Sequence, residues 1–287
     1  MKGIFISVVA VLLFACLSGC ASYKMIKIPE KREGAPDAVI AEMKAAQVVF
    51  LGEVHDNKDH HKLQLEIIRR LDEAGASLAL GLEMFGADKQ KELDKWVFGE
   101  MDEDEFTEVY YKGWLMPWSQ YKKIFLYAKA KKIPLVGLNI SWSIIRQVVK
   151  GGVKSLGPEE AKGLEGVKCD ADKHYEMLIR DAMSGHNHAK TAIAGKDDAY
   201  KNFCEAQMVW DTIMARRVTE YMKENPERTV VVLAGGAHAW KRGIPRSIKK
   251  LSPAAAFNFV VVMPEITEKL YLENVDAEDT DYLWVDP

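Results

Sequence analysis

Residues 48–61, VVFLGEVHDNKDHH, change character within a few positions. Four apolar residues lead into Gly52, Glu53 and His55, with His60 and His61 close behind. Three more polar side chains stand at similar junctions: Glu83 inside GLEMF, Asn139 closing IPLVGLN, and His238 within GGAHAW. Two glutamates and two imidazoles are donors that suit zinc, manganese or iron. The same groups can move protons, with His55 or His238 as a general base oriented by a glutamate. Glu53, His55, Glu83 and His238 are therefore the candidate site, for a divalent metal or for acid–base chemistry. Gly52, Gly235 and Gly236 leave room for close backbone approach beside these groups. His60 and His61 are consecutive, so on a helix they diverge by about 100°; one is expected to face the site and at least one to be solvated. The HNH run at 186–188 reads more readily as exposed loop than as a metal grip. HExxH, CxxC, GxSxG and phosphate-loop motifs are all missing, so the common zinc-peptidase, serine-hydrolase and nucleotide-binding signatures do not apply.

These residues must be positioned by something, and the apolar runs indicate what. Runs of strand length recur at 48–52, 78–85, 133–139, 229–239 and 257–264, nearly continuous rather than alternating. Strands covered by helices on both faces look like this. The stretch 60–74 places Leu63, Ile67, Ile68 and Leu71 on one helical face, with Gly75 where a terminating glycine belongs. Strand–helix–strand at this spacing predicts an α/β fold, a mostly parallel sheet flanked by helices. In such sheets ligands bind beyond the carboxyl ends of the strands, where all four polar groups fall. Intervals 86–128 and 141–225 are too long for simple crossovers. They read as helical insertions, including helices near 89–97, 118–131 and 200–223, part of which forms a smaller all-helical subdomain.

The first nineteen residues read as an export signal: Lys2, then an apolar run from Ile4 to Phe14 too short to span a bilayer stably. LSGC, ending at Cys20, resembles the lipobox of bacterial lipoproteins, in which the cysteine is lipidated. Residues 20–36 then read as a polar tether, and 37–287 as a single domain. Ala21 after the cysteine, where an aspartate would mark inner-membrane retention, favours a cell-envelope position at the outer membrane facing the periplasm. Cys169 and Cys204 remain; they could pair in an oxidising envelope or stay as buried thiols. The net charge of −3, with Lys and Arg scattered, gives no footprint for nucleic acid.

FLGEVHDNKDHHKLQLEII, LGLEMF, the Trp114…Trp118…Tyr121 stretch, LVGLN, AQMVWDTIMA (206–215) and AGGAHAWKRGIP (234–245) together resemble the ChaN family of haem-binding lipoproteins. The likeness runs from about residue 40 to 250. Its first motif also links it to a wider GExH group with Tiki-type metallopeptidases and erythromycin esterases. The resemblance implies a haem (iron) cofactor and a role in haem-iron uptake beside an outer-membrane haem receptor. It also implies a haem-bound homodimer, in which two haems lie face to face, a tyrosine ligates each iron, and a histidine and a lysine of the other protomer hold the propionates. Among Tyr110, Tyr111, Tyr121, Tyr127, Tyr175 and Tyr200, Tyr175 is the first choice, because Lys173 and His174 adjoin it. A binding role is favoured over turnover; the alternative is a metal-dependent hydrolase using Glu53, His55, Glu83 and His238.

Overall fold

A computed structural model describes residues 24–185, 196–253, 257–266 and 271–285. Among these, eight strands form one sheet: β1 Lys24–Lys27, β2 Arg32–Glu33, β3 Val48–Glu53, β4 Leu78–Gly86, β5 Leu135–Asn139, β6 Thr229–Gly235, β7 Phe259–Pro264 and β8 Tyr282–Val285. The order is β2-β1-β8-β7-β3-β6-β4-β5. From β8 to β5 every pairing is parallel; β1 pairs antiparallel with β8 and with β2 at one edge.

The helices are α1 Pro36–Ala45, α2 Lys58–Glu73, α3 Gln90–Phe98, α4 Glu103–Gly113, α5 Trp118–Lys131, α6 Trp142–Gly151, α7 Lys173–Gly185, α8 Lys196–Glu224, α9 Gly236–Ala239 and α10 Ile244–Leu251. They cover both faces. Val49 and Leu51 of β3 point into the core shared with α1–α5, whereas Val48 and Phe50 point into the core shared with α6–α10. With both faces buried, neither side of the strand can be polar, which is why its sequence is continuously apolar. All five strands expected from such runs are present.

Two features differ from the sequence reading or resolve an alternative it left open. Residues 24–33 are not a free tether. Lys24–Lys27 pairs with Tyr282–Val285, Ile28 is 2% exposed, and a turn with Lys31 at φ 47 brings β2 back onto β1. Short edge strands carry few apolar residues, so their composition resembles linker. The second feature is a disulfide joining Cys169, ahead of α7, to Cys204 of α8, with Cα atoms 5.2 Å apart. It fastens the start of the α7 segment to the long helix beneath it.

The α3–α5 insertion has its own aromatic centre. Trp96 stacks on Phe106 at 4.3 Å and Trp118 on Phe125 at 5.3 Å, and Trp96 Nε1 donates to the Phe125 carbonyl at 3.1 Å. Such pairs add about 0.5–1.5 kcal/mol each beyond their buried area. The α4 start is fixed by a reciprocal capping box between Asp102 and Glu105. This rigid block holds α5, and α5 delivers Tyr121 to the sheet edge. No helix among the described residues is long and apolar enough to cross a membrane.

Candidate functional site

Parallel strands put their carboxyl ends on one edge, and the four polar groups meet there. Glu53 is the last residue of β3 and is 2% exposed. Glu83 sits where the β4–β5 register shifts between Leu82 and Gly86. Asn139 ends β5, and its Nδ2 donates to the Glu83 carbonyl at 2.6 Å, serving an acceptor the broken ladder releases. Gly235 ends β6, and its N–H donates to Glu83 Oε2 at 2.6 Å, so backbone anchors that carboxylate. His238 follows in α9, buried at 6% exposure.

Glu53 is the most heavily solvated group, by protein rather than water. Its Oε1 accepts from the Tyr121 hydroxyl and from His55 Nδ1 at 2.8 Å. Its Oε2 accepts from Gln64 Nε2 at 2.8 Å and lies 3.6 Å from His61 Nε2. Burial alone would push this carboxyl up, but hydrogen bonds and charge from His55 and His61 hold it far below the usual carboxylate range. It is a permanent anion behind His55, not a free ligand.

His55 and His238 are built alike. His55 turns Nδ1 to Glu53, and His238 turns Nδ1 to Asp211 Oδ1 at 2.7 Å. Asp211 also accepts the Tyr175 hydroxyl, giving a Tyr175–Asp211–His238 relay in which every member is buried. With both Nδ1 positions committed to carboxylates, both Nε2 atoms face Glu83 Oε1, at 3.9 Å from His55 and 3.8 Å from His238. Burial lowers the basicity of His55, but the charges of Glu83 and Glu53 outweigh it and raise its pKa to about 9. His238 is raised too; burial opposes, and Glu83 and Asp211 prevail. Trp114 stands edge-on to His55 at 4.8 Å and Trp210 edge-on to His238 at 5.6 Å, so the crevice is aromatic-walled. Only His55 opens to solvent, its side chain 34% exposed.

This geometry corrects several expectations. Neither His60 nor His61 is solvated. His60 accepts the Val54 N–H through Nδ1 at 2.8 Å and packs edge-on against Trp284, while His61 lies against Tyr121. Tyr175 is fully buried, its hydroxyl is committed to Asp211, and burial pushes its pKa well above 10. It supports His238 and presents no face to a porphyrin. His174 and Lys173 are exposed on α7, and consecutive helical residues diverge, so adjacency to Tyr175 did not place the three together. His174 instead joins Asp276 and Asp279, where it is the one cluster among the described residues with three metal-type donor atoms within 4.8 Å. Arg242 already occupies that cluster, donating to Asp279 at 2.8 Å and Asp172 at 2.7 Å. His186 and His188 lie outside the described residues, as does Cys20.

Asp211 and Gln64 completed the site without having been singled out, and Tyr121, considered only as a haem ligand, serves Glu53 instead. Asp211 carries the clearest missed signal, a lone acid amid Val209, Trp210 and Met214 on the buried face of α8. A Cβ built on Gly235 would lie 3.0 Å from His55 Nε2. A side chain at 235 would therefore collide with the His55 ring, so glycine is required there for the imidazole to lie beside the end of β6.

Comparison with known proteins defines the class. The chain belongs to the ChaN family: the family model described as "Haem-binding uptake, Tiki superfamily, ChaN" matches residues 39–248. The fold resembles that of ChaN from Campylobacter jejuni, whose structure is described as cofacial heme binding, with a TM-score of 0.72 at 22% identity over 92% of this chain and 97% of that one. Erythromycin esterase EreC aligns with a TM-score of 0.50 at 13% identity, over 86% of this chain and 80% of that one. At these identities both likenesses concern the fold. The Arabidopsis thaliana protein RETICULATA-RELATED 5, chloroplastic, is 22% identical over 252 residues, 83% of this chain but 34% of that protein. The chain thus spans about a third of that relative's length.

Proposed function

We propose that this protein is a lipid-anchored haem-binding protein of the cell envelope that takes part in haem-iron uptake beside an outer-membrane haem receptor. The observation that carries the reading is the ChaN family match across residues 39–248. The LSGC motif supports lipidation at Cys20, and the Cys169–Cys204 disulfide suits an oxidising compartment. Ferric haem, when bound, supplies an iron with open axial positions that a phenolate oxygen suits.

The chain's residues fit haem outside the crevice rather than within it. Of the tyrosines considered, Tyr110, Tyr121 and Tyr175 are fully buried. An exposed tyrosine must serve instead. A haem lying on one protomer leaves a second apolar face, and a second copy carrying its own haem would cover it. Haem then favours the homodimer by mass action. Titrating the mature protein with haemin tests this reading: a saturable Soret shift, with a rise in sedimentation coefficient, is expected. Absence of saturable binding overturns it.

A second reading has its own observation. Both Nδ1 atoms bound to carboxylates, with both Nε2 atoms flanking Glu83, is how metal-binding histidines are oriented. In this reading His55, Glu83 and His238 hold a divalent ion or conduct acid–base hydrolysis, while Glu53 and Asp211 stand behind the imidazoles. Calorimetry with zinc or manganese alone should show binding that Glu83→Gln weakens about 10-fold or more; no heat above dilution removes the metal version.

A further inference from the structure

Asp211 steadies His238 from behind, and one of its two partners, Tyr175, arrives on an element that is loosely tied to the rest of the molecule. Residues 156–172, between α6 and α7, are turns and irregular chain. Their backbone hydrogen bonds are local, such as Ala161 N–H to the Gly157 carbonyl at 2.9 Å and Leu164 N–H to the Ala161 carbonyl at 2.8 Å. Segments of this kind lie at the low end of local stability. A short set of contacts fixes the start of α7. Asp170 pairs with Arg246 and Lys250. Asp172 accepts the His174 and Tyr175 N–H groups, each at 3.0 Å, and pairs with Arg242 at 2.7 Å. These ion pairs are partly solvated, and such pairs hold weakly. The covalent contact is the Cys169–Cys204 disulfide.

That disulfide lies where it controls docking. Cys204 and Asp211 are seven residues apart on α8, two helical turns and about 10 Å along one face. Cys169 and Tyr175 meet these two positions from the opposing segment, the first through a covalent bond and the second through its hydroxyl. Tyr175, Ile179, Cys204 and Met208 belong to one apolar cluster, with Cys169 packed at its border. Access to the two cysteines differs. Cys204 is fully buried and Cys169 only partly, so the bond is open to attack from the Cys169 side.

We propose that the Cys169–Cys204 disulfide is a redox latch on the crevice: its reduction by a dithiol partner undocks the start of α7, withdraws Tyr175 from Asp211 and unsettles His238. A thiolate of the dithiol attacks the Cys169 sulfur, the S–S bond breaks, and the Cys204 sulfur leaves as a thiolate that takes up a proton. The second thiol of the reductant then closes its own disulfide and releases Cys169 as a thiol. Two electrons and two protons pass from the dithiol to the cysteine pair. The latch goes beyond the haem and metal readings and depends on neither, because it concerns what holds the crevice wall in place.

The test compares the mature protein oxidised, reduced with dithiothreitol with its free thiols counted, and reoxidised. Hydrogen exchange in peptides from 173–183 should accelerate at least about tenfold on reduction, the lost loop closure appearing as local opening. Peptides from β3 and β6 should keep their protection. Tetranitromethane should nitrate Tyr175 in the reduced protein only, while Tyr282, 2% exposed, stays unmodified in both. The ring ¹⁵N signals of His238, followed at one fixed pH, should shift on reduction and return on reoxidation. Cys169→Ala with Cys204→Ala should reproduce the reduced state. Unchanged exchange in α7 after complete reduction overturns the latch, as does a bond that dithiothreitol cannot reduce without denaturant. Protection lost across the whole sheet overturns it too, because the bond is then a staple for the entire fold. An opened α7 with unmoved His238 signals breaks the link to the crevice and rejects the proposal. No readout uses haem or metal, so failure of either reading leaves this result distinct.

Discussion

Replacing Asp211 with asparagine would isolate what the relay contributes. The carboxylate is 1% exposed and has one partner per oxygen, His238 Nδ1 at 2.7 Å and the Tyr175 hydroxyl. An amide keeps the volume but replaces one acceptor with a donor. Either the phenol or the imidazole then meets an N–H instead of an oxygen, and His238 loses its buried counter-charge. A hydrogen bond to a charged group contributes about 1.5–3 kcal/mol, and a donor left unpaired in the interior costs a similar amount. Asp211→Asn should therefore destabilise by about 2–3 kcal/mol, a fall in Tm of about 4–12 °C for a domain this size. NMR titration of the His238 ring gives a second readout: without Asp211 the burial effect gains ground, so the pKa should drop. Tyr175→Phe is the control, losing about 1 kcal/mol while leaving His238 close to wild type. A stability change under about 0.5 kcal/mol with His238 unmoved would refute the relay.

Three further outcomes are expected. Cys169→Ser with Cys204→Ser opens a loop with a sequence separation of 35 and should cost about 3–4 kcal/mol, read by urea unfolding under oxidising conditions. Burial depresses the pKa of His60 from 6.5 to about 4, so its contribution is complete above pH 6.5 and fades as pH falls through that window. Wild type should therefore lose about 2 kcal/mol more than His60→Gln between neutral pH and about pH 4.5; equal losses in the two proteins would contradict the assignment. Cys20→Ser should move the protein from the membrane fraction to the soluble one, and continued sedimentation with membranes would count against lipidation.

The parallel strands could be read from the chain because burial on both faces leaves no freedom in composition: Val48, Val49, Phe50 and Leu51 are all at most 2% exposed. The same physics placed Glu53, Glu83, Asn139 and His238 on one edge, since a polar residue ending a buried strand has few places to go. Side-chain direction on helices was harder. Tyr175 stands beside Lys173 and His174 in the chain, yet it alone turns inward, and only the packing of α7 against α8 decides that. Asp211 was hidden for a related reason, as a buried acid is explained by its partner, and His238 is 27 residues away. Strands β1 and β8, toward one side of the sheet, were missed because their pairing joins opposite ends of the sequence, which no local pattern records.

That edge pairing bears on how the protein would stand on a bilayer. The strand anchored by Tyr282–Val285 begins at Lys24, four residues beyond Cys20. Fully extended, that span covers at most about 14 Å. Acyl chains on Cys20 would therefore moor the body on a very short leash. The sheet edge bearing Lys24, Lys27, Lys31 and Arg32 would be turned toward anionic headgroups, leaving the opposite edge, at β5, facing outward.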